Sequence, residues 1–205
     1  DGKIVSENPL SVAGKYLANS RNGVKEVMYK QSVEGVGRFI PSKSQSLATL
    51  ARPIRHTIAG EYYHDIDICN AHPIILLQLC SRDNIATPEL KLYCEDREVQ
   101  MNKIIKDGFD RDAVKKLLLS SINGGRVDYK RYGPGTNKDL DAFYSEMTII
   151  QDHFAAKPGF AKHCERRRAN KRYNATDKGS WVNVHMLNVE NAALMAIMKC
   201  LSDDG

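Results

Sequence analysis

The sequence lacks the features that mark disulfide-stapled, zinc-binding and membrane-spanning proteins. Its five cysteines are an odd number, widely spaced and without a C-x-x-C pair, which argues against a disulfide framework and a structural zinc site. No apolar run approaches the roughly 20 residues needed to span a bilayer, and no signal peptide, internal repeat or low-complexity tract is visible. We therefore expect an intracellular chain in a reducing compartment, with no membrane partner.

The composition is that of an ordinary folded protein. The 205 residues are 42% hydrophobic and 27% charged, enough for one substantial core or two small subdomains. Thirty Lys and Arg against 25 Asp and Glu leave a net charge of +5, which mildly favours polyanionic partners. The basic residues gather at 52–55, 126–131 and 166–172. A run of charged residues is usually a solvent-exposed face without a specific partner, so each cluster alone is weak evidence for binding. Because the sequence starts without Met, we expect a piece of a longer polypeptide, whose remainder would be a further partner.

Two carboxylates stand two residues apart in the segment 61–69, which we predict to be a strand. Side chains alternate along a strand, so Asp65 and Asp67 would project from one face and Ile66 and Ile68 from the other. Carboxylate oxygens are the ligands that Mg²⁺ prefers. The pattern predicts half of a magnesium site, and with equal weight it fits acidic residues that cap the following helix.

A second informative element is the predicted helix 111–121. Arg111 and Lys115 are four residues apart and stack on one side, while Lys116 lies on an adjacent side. Cations on one helix could clamp a triphosphate and stabilise charge on a leaving pyrophosphate. The alternative is a solvated amphipathic helix that ends at the glycines following Asn123.

The remaining pattern predicts a largely helical chain. Residues 9–30 carry a mixed helical pattern, 37–46 read as an extended loop, and Pro73 fits the start of an apolar helix. We further predict a short helix or turn over 46–58 that Pro53 interrupts, one long helix over 89–105 and a tail helix over 183–201.

Taken in chain order, these short elements resemble the palm and fingers of A-type DNA polymerases over roughly residues 35–200. The matching stretches are Gly37-Arg38, Ser46-Leu47, Arg52-Pro53-Ile54-Arg55, Asp67 and Arg111-x-x-x-Lys115 with its Asn123-Gly124 end. They resemble that family's T-G-R, N-L-Q and I-R elements, its first catalytic Asp and its R-x-x-x-K helix. Asp67-x-x-Asn70-Ala71-His72-Pro73 is also similar to the D-x-x-S-L-Y-P motif of B-type polymerases. A second B-type likeness, of Lys116-x-x-x-Ser120-Ser121-x-Asn123-Gly124 to K-x-x-x-N-S-x-Y-G, leaves open which lysine meets the triphosphate.

The resemblance implies a role for each matching residue. Asp67 would be the catalytic, metal-binding carboxylate, assisted by Asp65. The implied nucleotide-binding residues are Arg111, Lys115, Lys116, Asn123, Gly124 and His72, and the implied nucleic-acid contacts are Arg38, Arg52 and Arg55. Two positions depart from the family pattern. His72 stands where A-type enzymes carry Glu and B-type enzymes Tyr, and Asn123 replaces a Tyr.

The fold implied is α+β: a right-hand polymerase palm with a small antiparallel sheet and a helical fingers subdomain, incomplete at the C-terminus. Residues 1–36 would end a thumb-like helical segment, 37–84 would form the palm with the first catalytic motif, 85–160 the helical fingers, and 161–205 the return to the palm.

The implied activity is template-directed nucleotidyl transfer by two Mg²⁺ ions. The enzyme would be a DNA-directed DNA polymerase of viral or mobile-element type that acts in DNA replication. Its partners would be primer-template nucleic acid and nucleoside triphosphates, inside a host cell. No second acidic motif is recognisable before Gly205, so the fragment alone is expected to be inactive. Alternatives are a single-subunit RNA polymerase or primase, a non-catalytic nucleic-acid-binding module on a palm-like scaffold, and a protein whose basic clusters only confer solubility.

Overall fold

The computed structural model describes residues 8–33, 36–42, 46–63, 68–125, 133–168 and 177–203. The chain divides into two compact units, residues 1–68 and 69–205. Within the described residues it is an α+β protein of nine helices and one two-stranded antiparallel sheet. The α+β class predicted from the sequence is therefore confirmed in its coarse form, whereas a polymerase palm is not confirmed.

The first unit opens with helix α1, Pro9–Ala18. The Asn8 side chain accepts a hydrogen bond from the Leu10 amide at 3.0 Å, and Pro9 fits the first helical position because its missing N–H has no intrahelical partner there. The predicted helix over 9–30 ends early, at Ala18, and Asn22 and Gly23 then take positive φ values, of 50° and 75°, in a tight turn.

A β-hairpin follows, built from β1, Tyr29–Val33, and β2, Val36–Pro41. The loop predicted over 37–46 is thus wrong for its first five residues, which belong to β2. The register is interrupted by a bulge, because two β2 residues, Gly37 and Arg38, stand opposite one residue of β1. Gly37 has a φ of 87°, which a residue without a β-carbon adopts at little cost.

The first unit continues with a 3₁₀ turn, Leu47–Thr49, and helix α2, Arg52–Ala59. Pro53 does not interrupt α2, because it lies in the first turn, where its missing N–H costs nothing. The strand predicted over 61–69 is not seen at 61–63 or 68–69, and residues 64–67 lie outside the described part of the chain.

The second unit is helical throughout its described residues. Its helices are α3 (Ala71–Arg82), α4 (Pro88–Glu95), α5 (Arg97–Ile105), α6 (Arg111–Ile122), α7 (Lys138–Ala155), α8 (Phe160–Arg168) and α9 (Asp177–Asp203). The return of 161–205 to a palm sheet is not confirmed, because its described residues form α8 and α9. The four-part division into thumb, palm and fingers stays a prediction.

Local caps set several boundaries in this unit. The predicted helix over 89–105 is two helices, because the backbone of Asp96 is not helical. Its carboxylate accepts a hydrogen bond from the Val99 amide at 3.0 Å and caps the start of α5. The Asp110 carboxylate accepts hydrogen bonds from the amides of Asp112 and Ala113, and α6 begins at Arg111, as predicted. The N-terminus of α4 is capped by a residue of another helix. The buried carboxylate of Glu146 in α7 accepts hydrogen bonds from the first two amides of α4, at 2.9 and 2.8 Å.

The core of the second unit lies where α3, α4, α5, α6 and α7 pack together, with α9 covering α7 and α3. Tyr93 and Phe143 meet edge to face at its centre, with ring centroids 6.0 Å apart. The other large, fully buried side chains include Leu76, Leu90, Met101, Ile104, Leu117, Leu118, Ile122, Leu140, Met147 and Phe154. No helix in the described part of the chain is long and apolar enough to cross a membrane.

Candidate functional site

Three polar side chains from distant parts of the sequence meet in the second unit. His72 in the first turn of α3 lies 2.6 Å, Nδ1 to Oδ1, from Asn123 at the end of α6. Its other ring nitrogen, Nε2, lies 3.5 Å from the Glu190 carboxylate of α9. The Glu190 side chain is 10% exposed and that of His72 17% exposed. We call these three residues the polar junction.

The hydrogen-bond directions in the polar junction follow from the Asn123 amide group. Its NH₂ donates to the Leu119 carbonyl at 2.8 Å, so its oxygen faces His72, and His72 Nδ1–H is the donor. The second ring nitrogen, Nε2, then faces the Glu190 carboxylate, 3.5 Å away.

Two glycines let the helices beside the polar junction approach closely. Gly124 follows α6 with a φ of 78°, and Gly179 lies in the first turn of α9. A β-carbon built on either glycine would come closer than 3.0 Å to the backbone of the other. The close backbone neighbour of Gly124 is therefore Gly179.

The predicted nucleotide-binding cations of α6 are exposed but lie on different stripes of the helix. Lys116 and Asn123 are seven residues apart, which places them on nearly the same stripe, about 10 Å apart along the helix axis. Lys115 is rotated by about 100° from Lys116 around the helix axis, on the same side of the helix as Arg111. Arg111 is engaged elsewhere, because its guanidinium donates to Glu98 of α5. Of the two lysines, this geometry favours Lys116 as the one nearer the polar junction.

The predicted nucleic-acid contacts belong to the first unit. Arg38 is the exposed second residue of the β2 bulge. Arg52 and Arg55 stand one turn apart on α2, where Arg52 Nε donates to His56 Nε2 at 3.4 Å. Each of these three arginines thus lies on a defined helix or strand.

The predicted metal ligands, Asp65 and Asp67, lie outside the described residues. Within the described ranges, no group of three or more His, Cys, Asp or Glu side chains could hold a metal ion. The catalytic role of Asp67 and the Mg²⁺ site therefore stay predictions.

A second polar cluster surrounds Asp83 at the end of α3. Hydrogen bonds, first from Lys157 and then from His153 and Arg82, hold the pKa of the Asp83 carboxyl at about 2, below its ordinary 3.8. The same Lys157 ammonium sits over the Phe154 ring, 4.2 Å from its centroid. These contacts tie the end of α3 to the end of α7.

An aromatic cluster lies where α8 meets α9. The rings of His163 and His185 lie 5.1 and 4.7 Å from that of Trp181, whose indole N–H donates to the Phe154 carbonyl at 3.0 Å. Burial first, and then nearby cations, lower the pKa of both histidines. Neutral rings pack here without the cost of a buried charge.

The sequence reasoning missed Glu190 and Gly179. A signal for Glu190 was present, since it stands four residues after the buried Met186 and eight after the buried Val182. A carboxylate on a buried helical stripe usually has a polar partner. Nothing in the sequence named His72 as that partner, 118 positions earlier.

Comparison with known proteins gave a match to a viral protein. The chain is 31% identical over 150 residues to a Sputnik virophage protein named "Putative helicase V13". The alignment covers 69% of this chain and 19% of that protein, so the chain spans about a fifth of its relative. No family model matches the chain, and no solved structure matches it. These comparisons assign the chain to no family.

The match corrects the predicted activity. The relative is named as a helicase, a nucleic-acid enzyme of another class, and this contradicts the assignment of a DNA-directed DNA polymerase as function and as enzyme. No family model or solved structure supports the polymerase resemblance either.

The structure gives local reasons for several residues on which the resemblance rested. Arg111 pairs with Glu98, and Asn123 caps α6. Gly124 supplies a positive φ beside Gly179. Capping and turn residues recur at helix ends in unrelated proteins, so short motifs built from them do not by themselves identify a family.

Proposed function

We propose that this chain is a nucleic-acid-binding part of a larger viral nucleic-acid enzyme, without assigning catalysis to it. The observation that carries the proposal is the charge of residues 27–60. This stretch has five Lys or Arg and one acidic residue: Lys30, Arg38, Lys43, Arg52 and Arg55 against Glu34. The name of the virophage relative favours the same partner.

Phosphate groups are the natural counterparts of the cations that the structure describes in this stretch, which we call the basic residues: Lys30, Arg38, Arg52 and Arg55. Lys30, Arg38 and Arg52 are exposed and Arg55 is half-buried. Such cations displace counterions from a nucleic acid, which supplies affinity without sequence preference. Each side chain is mounted on the hairpin or on α2 rather than on a terminus, and this limits the conformational freedom that binding must remove.

Unwinding is the activity in the relative's name, and this chain spans a fifth of that protein. The P-loop pattern G-x-x-x-x-G-K-S/T, which cradles nucleotide phosphates in many ATP-driven motors, does not occur in the 205 residues. We therefore restrict the proposal for this chain to binding.

A salt titration tests the proposal. The affinity of the 205-residue chain for labelled DNA is measured by fluorescence anisotropy at several salt concentrations, with the wild type and with Gln substitutions of the basic residues. Each lost phosphate contact should reduce the slope of log affinity against log salt by about 0.7 to 0.9. Lys138→Gln, an exposed lysine at the start of α7, is the matched control and should leave the slope unchanged.

Absence of binding at low salt would refute the proposal. So would binding whose salt slope is the same in the wild type, in Arg38→Gln and in Arg52→Gln, because the cations would then contact no phosphate.

A further inference from the structure

The hairpin of β1 and β2 presents two aromatic rings on one face. Tyr29 pairs with Pro41 and Gln31 with Phe39. Directly opposed residues share a face, so Tyr29 and Phe39 are diagonal neighbours, about 7 to 8 Å apart. Tyr29 is 50% exposed and Phe39 is 44% exposed. Two large rings side by side in solvent are an unusual use of apolar surface.

The opposite face of the same hairpin carries the cations. Lys30 pairs with Ile40, which places Lys30 and Arg38 diagonally on the second face. Arg38 is the second residue of the bulge, and bulges commonly redirect a side chain next to a binding site. The described residues add no third strand to this hairpin, so long basic side chains can extend past its edges towards a ligand on the aromatic face.

We infer that this hairpin binds a single-stranded nucleic acid, with Tyr29 and Phe39 stacking on bases while Lys30 and Arg38 contact the flanking phosphates. The inference rests on the proposed function and adds a substrate class to it. Single strands expose the faces of their bases, and stacking on aromatic side chains beside a cationic path is how proteins bind them without sequence preference.

A duplex does not fit this surface equally well. The base faces in a duplex are covered by neighbouring bases, so Tyr29 and Phe39 could stack on them only if base steps were unstacked. The cations would still bind its phosphates. The rings should therefore contribute to single-strand affinity alone, whereas the cations contribute to both.

Fluorescence anisotropy of the whole chain separates these contributions. The probes are a labelled oligothymidylate of about 20 nucleotides, which has no secondary structure of its own, and a labelled duplex of similar length. The variants are Tyr29→Ala, Phe39→Ala and the conservative Phe39→Tyr. Tyr62→Ala is the matched control, since Tyr62 is 77% exposed in the same unit but lies outside the hairpin. Circular dichroism confirms that each variant is folded.

Tyr29→Ala and Phe39→Ala should each weaken oligothymidylate binding by about 5-fold to about 140-fold, which is the loss of one stacked base. Duplex binding and the salt slope should not change, and Phe39→Tyr should retain the affinity of the wild type.

Three results would overturn the inference. Ring variants that bind oligothymidylate like the wild type, while Arg38→Gln lowers the salt slope, would leave the proposed function standing and remove the stacking. An equal loss for duplex and single strand would assign the rings a structural role. Absence of binding to either probe would overturn both proposals.

Discussion

The contact between Gly124 and Gly179 gives the sharpest stability prediction. Replacing Gly124 by Ala puts a β-carbon against the backbone of Gly179, closer than 3.0 Å, at a φ of 78°. A residue with a side chain in the left-handed region costs about 1 to 2 kcal/mol. Overpacking against backbone, which cannot rotate away, adds about 1 to 3 kcal/mol. We expect Gly124→Ala to lower the free energy of unfolding by about 2 to 5 kcal/mol.

The assay is urea denaturation followed by the fluorescence of Trp181, the single tryptophan of the chain, which lies two residues from Gly179. For a loss of about 3 kcal/mol and a slope of about 1 to 3 kcal/mol per molar urea, the midpoint should fall by about 1 to 3 M. Gly179→Ala should cost less, because it carries the steric cost without a left-handed φ. The two substitutions should not be additive, since they disturb one contact.

Gly14→Ala is the control for glycine replacement as such. Gly14 lies inside α1, and a β-carbon at this position would have nothing within 4 Å, so a change to alanine should stabilise the helix slightly. A loss below about 0.5 kcal/mol for Gly124→Ala, within the range of neutral surface changes, would refute the argued contact.

Two further predictions follow from side-chain pKa values. Because the folded state holds the pKa of Asp83 at about 2, below 3.8, the stability contributed by this carboxylate should be complete above about pH 4 and be lost as the pH falls towards 2. The urea midpoint should therefore fall less between pH 4 and pH 2 in Asp83→Asn than in the wild type. Asp152→Asn, which removes a carboxylate paired with an exposed lysine, is the control and should lose stability like the wild type. An equal fall of the midpoint in Asp83→Asn and in the wild type would contradict the assignment. Burial, reinforced by nearby carboxylates, raises the pKa of Cys80 to about 12, so iodoacetamide should modify the exposed Cys69 and Cys200 first. Mass spectrometry of the native protein checks this order, and early labelling of Cys80 would be inconsistent with its burial.

The sequence predicted several elements well because their signals are local. The Asp110 cap and the Asn123-Gly124 stop bracket α6 within a few residues, and Pro73 correctly indicated the first turn of α3. Such signals depend on backbone hydrogen bonds that neighbouring residues satisfy.

Other elements could not be read in this way. The hairpin pairing of β2 was missed because the glycines on either side of Val36 suggest a break in the chain, and because the strand is stabilised by cross-strand partners. The break at Asp96 was missed because the charged stretch from 89 to 105 has a continuous helical pattern, which a single cap interrupts.

The functional interpretation failed at a different point. The polymerase assignment depended on the order of short motifs, and the residues in several of them are explained by an ion pair, a cap and a close glycine contact. The arginines at 38, 52 and 55 carry over into the proposed nucleic-acid contacts, because charge is a property of the residues themselves.

The sequence by itself determined the ends of α6 to within a residue, the place of Pro73 in the first turn of α3 and the basic residues before position 60, since each depends on residue chemistry and near neighbours. The tertiary structure alone decided that His72, Asn123 and Glu190 meet, that Gly124 faces Gly179, and that two rings share one face of a hairpin. Those meetings depend on how helices pack and how strands align across the chain, and packing at long range is selected by the whole core rather than by any one segment.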